Sequence, residues 1–351
     1  MKRFLVVSAF IYLAVLLIGW IFIHFDQGSN WLVTLFLFSP RWVTAVPMAL
    51  LVPLTMLFSF RWTPLYLIHA WVIAFPILGF QFSVPSEPNR KEPIIRVMTC
   101  NLGGGQIWRD EIVRFVREKD IHVLLLQECP TSLSMPLFAE LGWHHKQEYN
   151  MAIGSIWELG ETTVIARQPR ENYEVSAAII CTLDLKPSLN QSNLQQADTD
   201  SAVEPSHAID ETKAEETVQL ICLHLPTFRP ALQKARSFDP EMGTAITEMG
   251  QTYRKIAGDV HQFAETVSGP LIIGGDFNIP AESAYYRDYW SEWSNAQDMS
   301  GRGLGYTKFT RYHGVRIDHL LVSDHWNVLS SRVGADFGGD HRPVITELTQ
   351  R

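Results

Sequence analysis

The apolar positions divide this chain into two parts. The first 83 residues hold long and almost uncharged apolar runs, whereas the remainder alternates short apolar segments with polar ones. A helix needs about 20 mainly apolar residues to cross a bilayer. Three runs are near that length, at 4–25, 42–60 and 65–82. We therefore predict that residues 1–83 form a transmembrane anchor, a bundle of three helices in a multi-pass membrane protein.

The flanks of these runs agree with contact to membrane lipids. Four tryptophans lie near the run ends, where aromatic side chains meet the membrane interface: Trp20, Trp31, Trp42 and Trp62. The first run is longer than the core of a signal peptide, and no cleavage site follows it, so we expect a retained anchor. Residues 31–39 are apolar but too short to cross alone. We expect them to extend the second span or to lie in the interface.

The basic residues at the N-terminus give an expectation for membrane sidedness. Lys2 and Arg3 favour a cytoplasmic N-terminus, and three spans would then place the rest of the chain on the extracytoplasmic side. A buried helical hairpin of a soluble protein is an alternative, but three such runs in succession argue against it. A transporter is also disfavoured, because no acidic residue lies within a span to relay ions.

The second part has the pattern of an α/β domain, with short apolar strands alternating with amphipathic helices. Residues 84–93 are rich in proline and charge and predict a linker before a domain at 94–351. Strands are predicted at 94–100, 122–127, 161–167, 176–185, 217–223, 270–275, 315–322 and 342–347, and helices at 107–119 and 241–267. Residues 186–216 are polar and lack aromatic side chains, which predicts a disordered loop.

The charge balance limits the classes of substrate that the chain is expected to bind. Residues 84–351 hold 25 of the 29 basic and 36 of the 37 acidic residues, a formal balance of −11. Proteins that bind nucleic acid do so mainly with Lys and Arg, so this balance argues against a large basic surface for nucleic acid. A narrow site that holds one phosphate remains compatible with this balance.

Polar residues able to bind metal or phosphate follow several of the predicted strands. They are Asn101, Glu128, His224, Asp276, Asn278, Asp318, Asp340 and His341. A carboxylate at the end of a buried strand lies at the rim of the sheet and needs a metal or a hydrogen-bonding partner. One such acid alone is more often a cap or turn residue. The polar residues follow six separate apolar or glycine-rich runs, and six such sites together are difficult to explain as caps.

These residue types suit the hydrolysis of phosphoesters. Hard oxygen ligands from Glu128 and Asn101, with Asp276 or Asp340, suit Mg²⁺ or Mn²⁺ rather than zinc. A His–acid pair can activate water or protonate a leaving oxygen. The sequence contains no GxSxG elbow, no phosphate-binding P-loop and no HExxH motif.

The ordered motifs MTCN, LLLQE, CLHLP, GGDFN, RIDHLLVS and GGDHRPV resemble the endonuclease/exonuclease/phosphatase superfamily. That superfamily includes pancreatic-type deoxyribonucleases, repair nucleases, neutral sphingomyelinases and inositol-polyphosphate phosphatases. The resemblance covers about 94–348. It implies a four-layer α/β/β/α sandwich with the site at one rim of the paired sheets, and in-line attack of water on a metal-bound phosphate.

The resemblance also implies roles for individual residues. It places Asn101, Glu128 and Asp340 at the metal site, with Glu128 the principal ligand. It implies catalytic roles for five residues: His224 near the scissile phosphate as a general acid, Asp276 and Asn278 orienting the nucleophile, and Asp318 orienting His341. Whether Asp276 or the Asp318–His341 pair is the base stays open. Substrate contacts are implied for Arg254, Tyr306 and Thr307. His319 is expected to point away from the site, because strand neighbours alternate faces.

The substrate is the least defined feature. An anchored chain with an acidic soluble part favours a lipid or another small phosphodiester over nucleic acid. A nuclease acting on DNA or RNA is the alternative within the enzyme class. A membrane scaffold or receptor with an inactive hydrolase-like domain is the alternative from another class, although Glu128 and His341, which inactive relatives usually lose, are both present.

Overall fold

The computed structural model describes residues 1–28, 30–83, 93–103, 108–169, 174–185 and 217–351. The predicted disordered loop 186–216, and the predicted linker 84–93 except its last residue, lie outside the described residues.

Apolar helices make up the N-terminal region. They are α1 Lys2–Phe25, α2 Trp31–Leu37, a 3₁₀ turn Arg41–Ala45 that leads into α3 Val46–Ser59, a 3₁₀ turn Phe60–Trp62, and α4 Leu65–Val72, continued by a π-helical turn Ile73–Ile77. Helix α1 packs against both α3 and α4. A short strand, β1 Gln81–Phe82, follows.

The expected bundle of three spans is not confirmed. Two helical segments in the described chain, Lys2–Phe25 and Arg41–Trp62, are long and apolar enough to cross a membrane. The third helix ends at Ile77 because the chain turns at Gly79, whose φ of +72° suits glycine, and then enters β1. Only 22% and 6% of the apolar windows of the two long segments are buried. They are therefore not the core helices of a soluble domain.

Helix α2 does not extend the second apolar helix. Asn30 caps it, its side chain accepting a hydrogen bond from the Leu32 amide at 3.0 Å. Trp31, Leu35 and Phe38 pack against the apolar core of the following domain instead. The segment after α1 therefore returns to the globular part of the protein before α3 begins.

Two six-stranded sheets form the centre of the described domain. The first sheet contains β2 Ile95–Asn101, β3 Val123–Gln127, β4 His144–Glu148, β5 Met151–Ser155, β15 Trp326–Val333 and β16 Val344–Gln350, in the order β15-β16-β2-β3-β5-β4. Strands β2 and β3 are parallel, and all other neighbouring strands in this sheet are antiparallel.

The second sheet has the same mixed character. It contains β6 Thr163–Pro169, β7 Glu174–Asp184, β8 Thr217–His224, β9 Leu271–Asp276, β10 Ser294–Asn295 and β14 Asp318–Val322, in the order β10-β14-β9-β8-β7-β6. Its parallel pair is β8–β9. Short pairs outside both sheets use β11 Arg302–Gly303, which binds β1, and β12 Lys308–Phe309 with β13 Gly314–Val315.

Helices cover the outer face of each sheet and complete four layers. They are α5 Arg109–Glu118 and α6 Thr131–Leu141 on the first sheet, and α7 Arg229–Arg236, α8 Met242–Glu265 and α9 Ala284–Trp290 on the second, with the short α10 Ala296–Ser300 at an edge. One apolar cluster fills the space between the sheets, with Leu125 from one and Ile272 from the other. The expected α/β/β/α sandwich is confirmed.

Candidate active site

The predicted polar residues converge because of strand direction. Parallel strands end at the same edge, and Asn101 ends β2 next to Gln127 of β3, while His224 ends β8 opposite Asp276 of β9. Asp318 begins the antiparallel strand β14 and pairs with Asp276. The two sheets pack face to face, so these ends meet at one rim.

Asn101 joins the two sheets at this rim. Its buried amide nitrogen donates to Glu128 Oε1 at 3.1 Å and to Asp276 Oδ2 at 3.0 Å. Its oxygen accepts a hydrogen bond from the Gly103 amide at 2.9 Å. Two carboxylates from different sheets are thus held on one side chain.

Two site residues adopt left-handed backbone conformations, which are uncommon for residues other than glycine. Glu128 has φ +48° and Asn278 has φ +55°. The Asn278 amide donates to Asp276 Oδ1 at 2.9 Å, and its side chain donates to the Leu225 carbonyl at 2.8 Å. Such strain persists where the surroundings hold it, often at functional sites.

Asp318 and His341 form a buried pair. The His341 Nδ1 lies 2.8 and 3.0 Å from the two oxygens of Asp318, and both side chains are almost fully buried. Burial alone lowers the pKa of His341, but the charges of Asp318 and Asp276 outweigh it and raise this pKa to about 9. His341 is therefore an imidazolium at neutral pH, with its Nε2 toward the cavity.

Asp276 occupies the centre of the cluster. Its Oδ2 lies 3.7 Å from His341 Nε2 and 3.9 Å from His224 Nε2. Burial, together with the neighbouring charge of Asp318, raises the pKa of Asp276. Nearby histidines and Asn101 act in the opposite direction. A carboxylate whose proton affinity is increased in this way is suited to accept a proton.

His224 closes the other side of the cluster. Its Nε2 lies 3.6 Å from Glu128 Oε1. Its backbone carbonyl accepts a 2.8 Å hydrogen bond from the buried Gln168 side chain. The structure therefore places seven predicted residues together: Asn101, Glu128, His224, Asp276, Asn278, Asp318 and His341.

Asp340 lines the same cavity as Glu128, but its ion pairs are with basic side chains. Its Oδ2 binds Lys308 in a short ion pair and lies 3.2 Å from Arg229 Nη2. Desolvation raises the pKa of Asp340, but the hydrogen bond and charge of Lys308 lower it overall. The reason for this placement is local, because Lys308 bridges to His341 through the backbone. Asp340 thus holds the basic side chains of Lys308 and Arg229 at the cavity.

The three expected substrate contacts do not line the cavity described below. Thr307 is buried, and its Oγ1 accepts hydrogen bonds from the amides of Ile317 and Asp318 at 3.2 and 3.1 Å. Tyr306 packs over Gly314. Arg254 binds Asp288 at 3.0 Å and the carbonyl of Gln27. Thr307 positions the start of β14, and Arg254 contacts the N-terminal region.

His319 points away from the site, as expected. Its Nε2 lies 3.0 Å from the Ile279 carbonyl, and its ring lies against Phe277 and Tyr286. Burial lowers its pKa to about 4, so this ring is neutral.

A cavity of about 740 Å³ opens from the cluster. Its catalytic end contains Glu128, His224, Asp276, Asn278 and His341. Its other walls include residues that sequence reasoning missed: Phe38, Arg229, Leu232, Arg236, Lys308 and His313. Lys308 directly follows the GYT segment, which was a usable signal. The others had none, because α7, the segment after α1 and the turn that contains His313 carry no motif.

The residues present fit a divalent cation. Glu128 is partly exposed in the cavity and, in the described part of the chain, forms no ion pair with Lys or Arg. Asp276 is likewise free of such a pair, and both are hard oxygen donors. Asp276, Asp318 and His341 also cluster closely, but the last two bind each other. The cation would therefore lie nearest Glu128.

Comparison with known proteins agrees with this architecture. The model of the Endonuclease/Exonuclease/phosphatase family matches residues 98–341, and the chain belongs to this family. Members of the family are hydrolases that act on phosphoester bonds, including nucleases and phosphatases. No curated protein matches the chain.

Several solved structures are similar to this chain, and the first of them shares its fold. An endonuclease/exonuclease/phosphatase from Bacteroides vulgatus has a TM-score of 0.52 at 15% identity, covering 74% of this chain and 100% of that chain. The human Nocturnin catalytic domain has a TM-score of 0.47 at 16% identity, covering 76% and 100%. An AP endonuclease from Archaeoglobus fulgidus has a TM-score of 0.49 at 12% identity, covering 72% and 98%.

Proposed function

We propose that this chain is a divalent-metal-dependent phosphoester hydrolase, with its active site at the strand-end cluster. One observation carries the proposal. An unbroken set of contacts leads from Glu128 through Asn101 and Asp276 to His341 and Asp318, and it opens into one cavity.

Glu128 is the residue that would hold Mg²⁺ or Mn²⁺, and Asn101, whose amide nitrogen donates to Glu128 and Asp276, would orient the two carboxylates. When bound, such a cation polarises a phosphoryl oxygen and offsets its charge. We assign Asp340 to a different task from the one the resemblance implies. It positions Lys308 and Arg229, whose charges suit the remaining phosphate oxygens.

The other side chains handle protons and developing charge. Asp276, steadied by the Asn278 amide, orients the attacking water and accepts its proton. The imidazolium of His341, fixed by Asp318, places positive charge beside the phosphate. His224, on the opposite side of the cluster, is placed to protonate the leaving oxygen.

We further propose that the apolar helices anchor the enzyme with its domain on the extracytoplasmic side. In this arrangement α4 and its π-helical turn, although shorter than the two long segments, lead the chain back from Arg61 to the domain. Lys2, Arg3 and Arg61 lie together at the end of the helices formed by the start of α1 and the end of α3. The other end of α1 contacts the catalytic domain. Arg41 is buried near the domain in an ion pair, so it adds no free charge there. Positive residues concentrate on the cytoplasmic side of membrane proteins.

The test is turnover by the full-length protein in detergent or vesicles. With Mg²⁺ or Mn²⁺ we expect hydrolysis of at least one substrate among nitrophenyl phosphate esters, phospholipid vesicles and DNA or RNA oligonucleotides. EDTA should stop it, and Glu128→Gln should remove it without lowering the melting temperature. A panel with no metal-dependent turnover by folded protein would instead favour the scaffold. Turnover confined to oligonucleotides would favour the nuclease over a lipid or small diester.

A further inference from the structure

The segment between α1 and α3 reaches the catalytic cavity. Phe38, the residue after α2, is one of the cavity walls. Its ring lies 5.8 Å from that of Phe228, the residue before α7. Its carbonyl lies 2.9 Å from Nε2 of His313, another wall residue. A residue from the apolar N-terminal region is thus part of the site's surface.

This segment is fixed to the catalytic domain on both sides of Phe38. Arg41 is buried, with Nη1 2.8 Å from the Ile77 carbonyl and 3.2 Å from Glu282 Oε1. Before α2, Tyr285 donates to the Gly28 carbonyl at 2.9 Å. A buried ion pair is costly to separate. The N-terminal region and the catalytic domain therefore form a specific interface and are not joined only by a flexible linker.

The walls of the cavity are chemically mixed. The carboxylates, histidines and cations suit a phosphate. Phe38 and Leu232 add apolar surface to the same cavity, and both pack against the same apolar cluster. An apolar surface next to a phosphate site suits the organic group of a phosphoester.

We propose that Phe38 is a specificity-determining residue, which packs against an apolar ester group of the substrate. The N-terminal region then completes the active site in addition to any anchoring role. The inference rests on the proposed function, and it narrows the substrate class to phosphodiesters whose second ester group is apolar and large enough to reach Phe38.

The experiment uses two diesters with the same leaving group, bis(4-nitrophenyl) phosphate and methyl 4-nitrophenyl phosphate. The enzyme is the full chain in one detergent, with Mn²⁺. We expect Phe38→Ala to raise KM for the bis-aryl ester about ten-fold through lost apolar contact, with kcat within about two-fold. KM for the methyl ester should stay within about two-fold, since a methyl group offers the ring little apolar surface.

Two further variants separate contact from folding. Phe38→Leu keeps an apolar side chain and should recover most of the KM for the bis-aryl ester, even if Phe38→Ala lowers the melting temperature. Leu32→Ala is the matched control, because Leu32 lies on the helix that precedes Phe38, is 55% exposed and does not line the cavity. It should leave both esters unchanged.

Equal effects of Phe38→Ala on the two esters, or no effect on either, would overturn the inference and leave the proposed function standing. Failure of Phe38→Leu to recover KM would also overturn it. No turnover of either ester by the unaltered protein would count against the proposed function as well.

Discussion

The pairing of Asp318 with His341 can be tested sharply. The next residue on the strand after Asp318 is His319, which is also buried but faces away from the site. Asp318→Asn keeps the size of the side chain and removes its charge. His341 then loses the carboxylate that lies 2.8 Å from its Nδ1. Its pKa should fall from about 9 toward or below the ordinary value of 6.5.

The expected loss follows from the burial of this pair. Removing an orienting acid from a buried His–Asp pair costs about 2–5 kcal/mol of transition-state stabilisation in other enzymes. This corresponds to about a 30- to 5,000-fold fall in kcat/KM. The pair also stabilises the fold. Because the pKa of His341 is raised, that contribution is complete below about pH 6.5 and is lost as pH rises through about 9.

The matched control is His319→Gln. His319 faces the opposite side of β14 and bonds the Ile279 carbonyl at 3.0 Å. We expect kcat/KM to change by less than about three-fold, with a loss of about 1 kcal/mol in stability from imperfect packing. The measurements are kcat/KM and melting curves for both variants. An inactive His319→Gln beside a near-normal Asp318→Asn would refute the register that pairs Asp318 with Asp276.

Three further predictions concern charge. Activity that needs the His341 imidazolium should decline as pH rises through about 9, which a pH profile of kcat/KM checks. Glu128→Gln should weaken Mn²⁺ binding at least ten-fold by calorimetry while the melting temperature stays within a few degrees, because Glu128 lies at the rim and not in the core. Arg41→Met should destabilise the fold by about 3–5 kcal/mol in denaturant melts, because it leaves the Glu282 carboxylate without its partner. An unchanged melt would show that this ion pair does not hold the N-terminal region and the catalytic domain together.

Much of the sandwich could be predicted from sequence, because its central strands are buried on both faces. Such strands appear as continuous apolar runs, and all eight predicted strands are present. Three longer strands were missed. Met151–Ser155 is buried but only five residues long, whereas the other two have weaker patterns. His144–Glu148 is a polar edge strand, and Trp326–Val333 mixes polar and apolar residues while pairing at the opposite edge. Edge strands bury less, so their sequences carry less of the pattern.

The candidate site was predictable to the extent that strand ends define it. Asp276 and His224 follow apolar strands, so their convergence follows from strand direction. The partners of Asp340 were not predictable in the same way. The family resemblance implied a place beside the metal, whereas Lys308 and Arg229 come from a hairpin and a helix whose positions depend on the whole fold. Charges that meet through tertiary packing leave no local pattern in the sequence.

The N-terminal region shows a different limit. Trp31, Leu35 and Phe38 are apolar, and an apolar side chain is stabilised by leaving water whether it enters lipid or a protein core. Hydrophobicity therefore could not distinguish a membrane helix from one that packs on the catalytic domain. The distinguishing feature is Arg41, a cation inside an apolar stretch, which is stable there only with a buried partner. That partner is Glu282, far along the chain, so the charge marks the point where the two regions of the protein join.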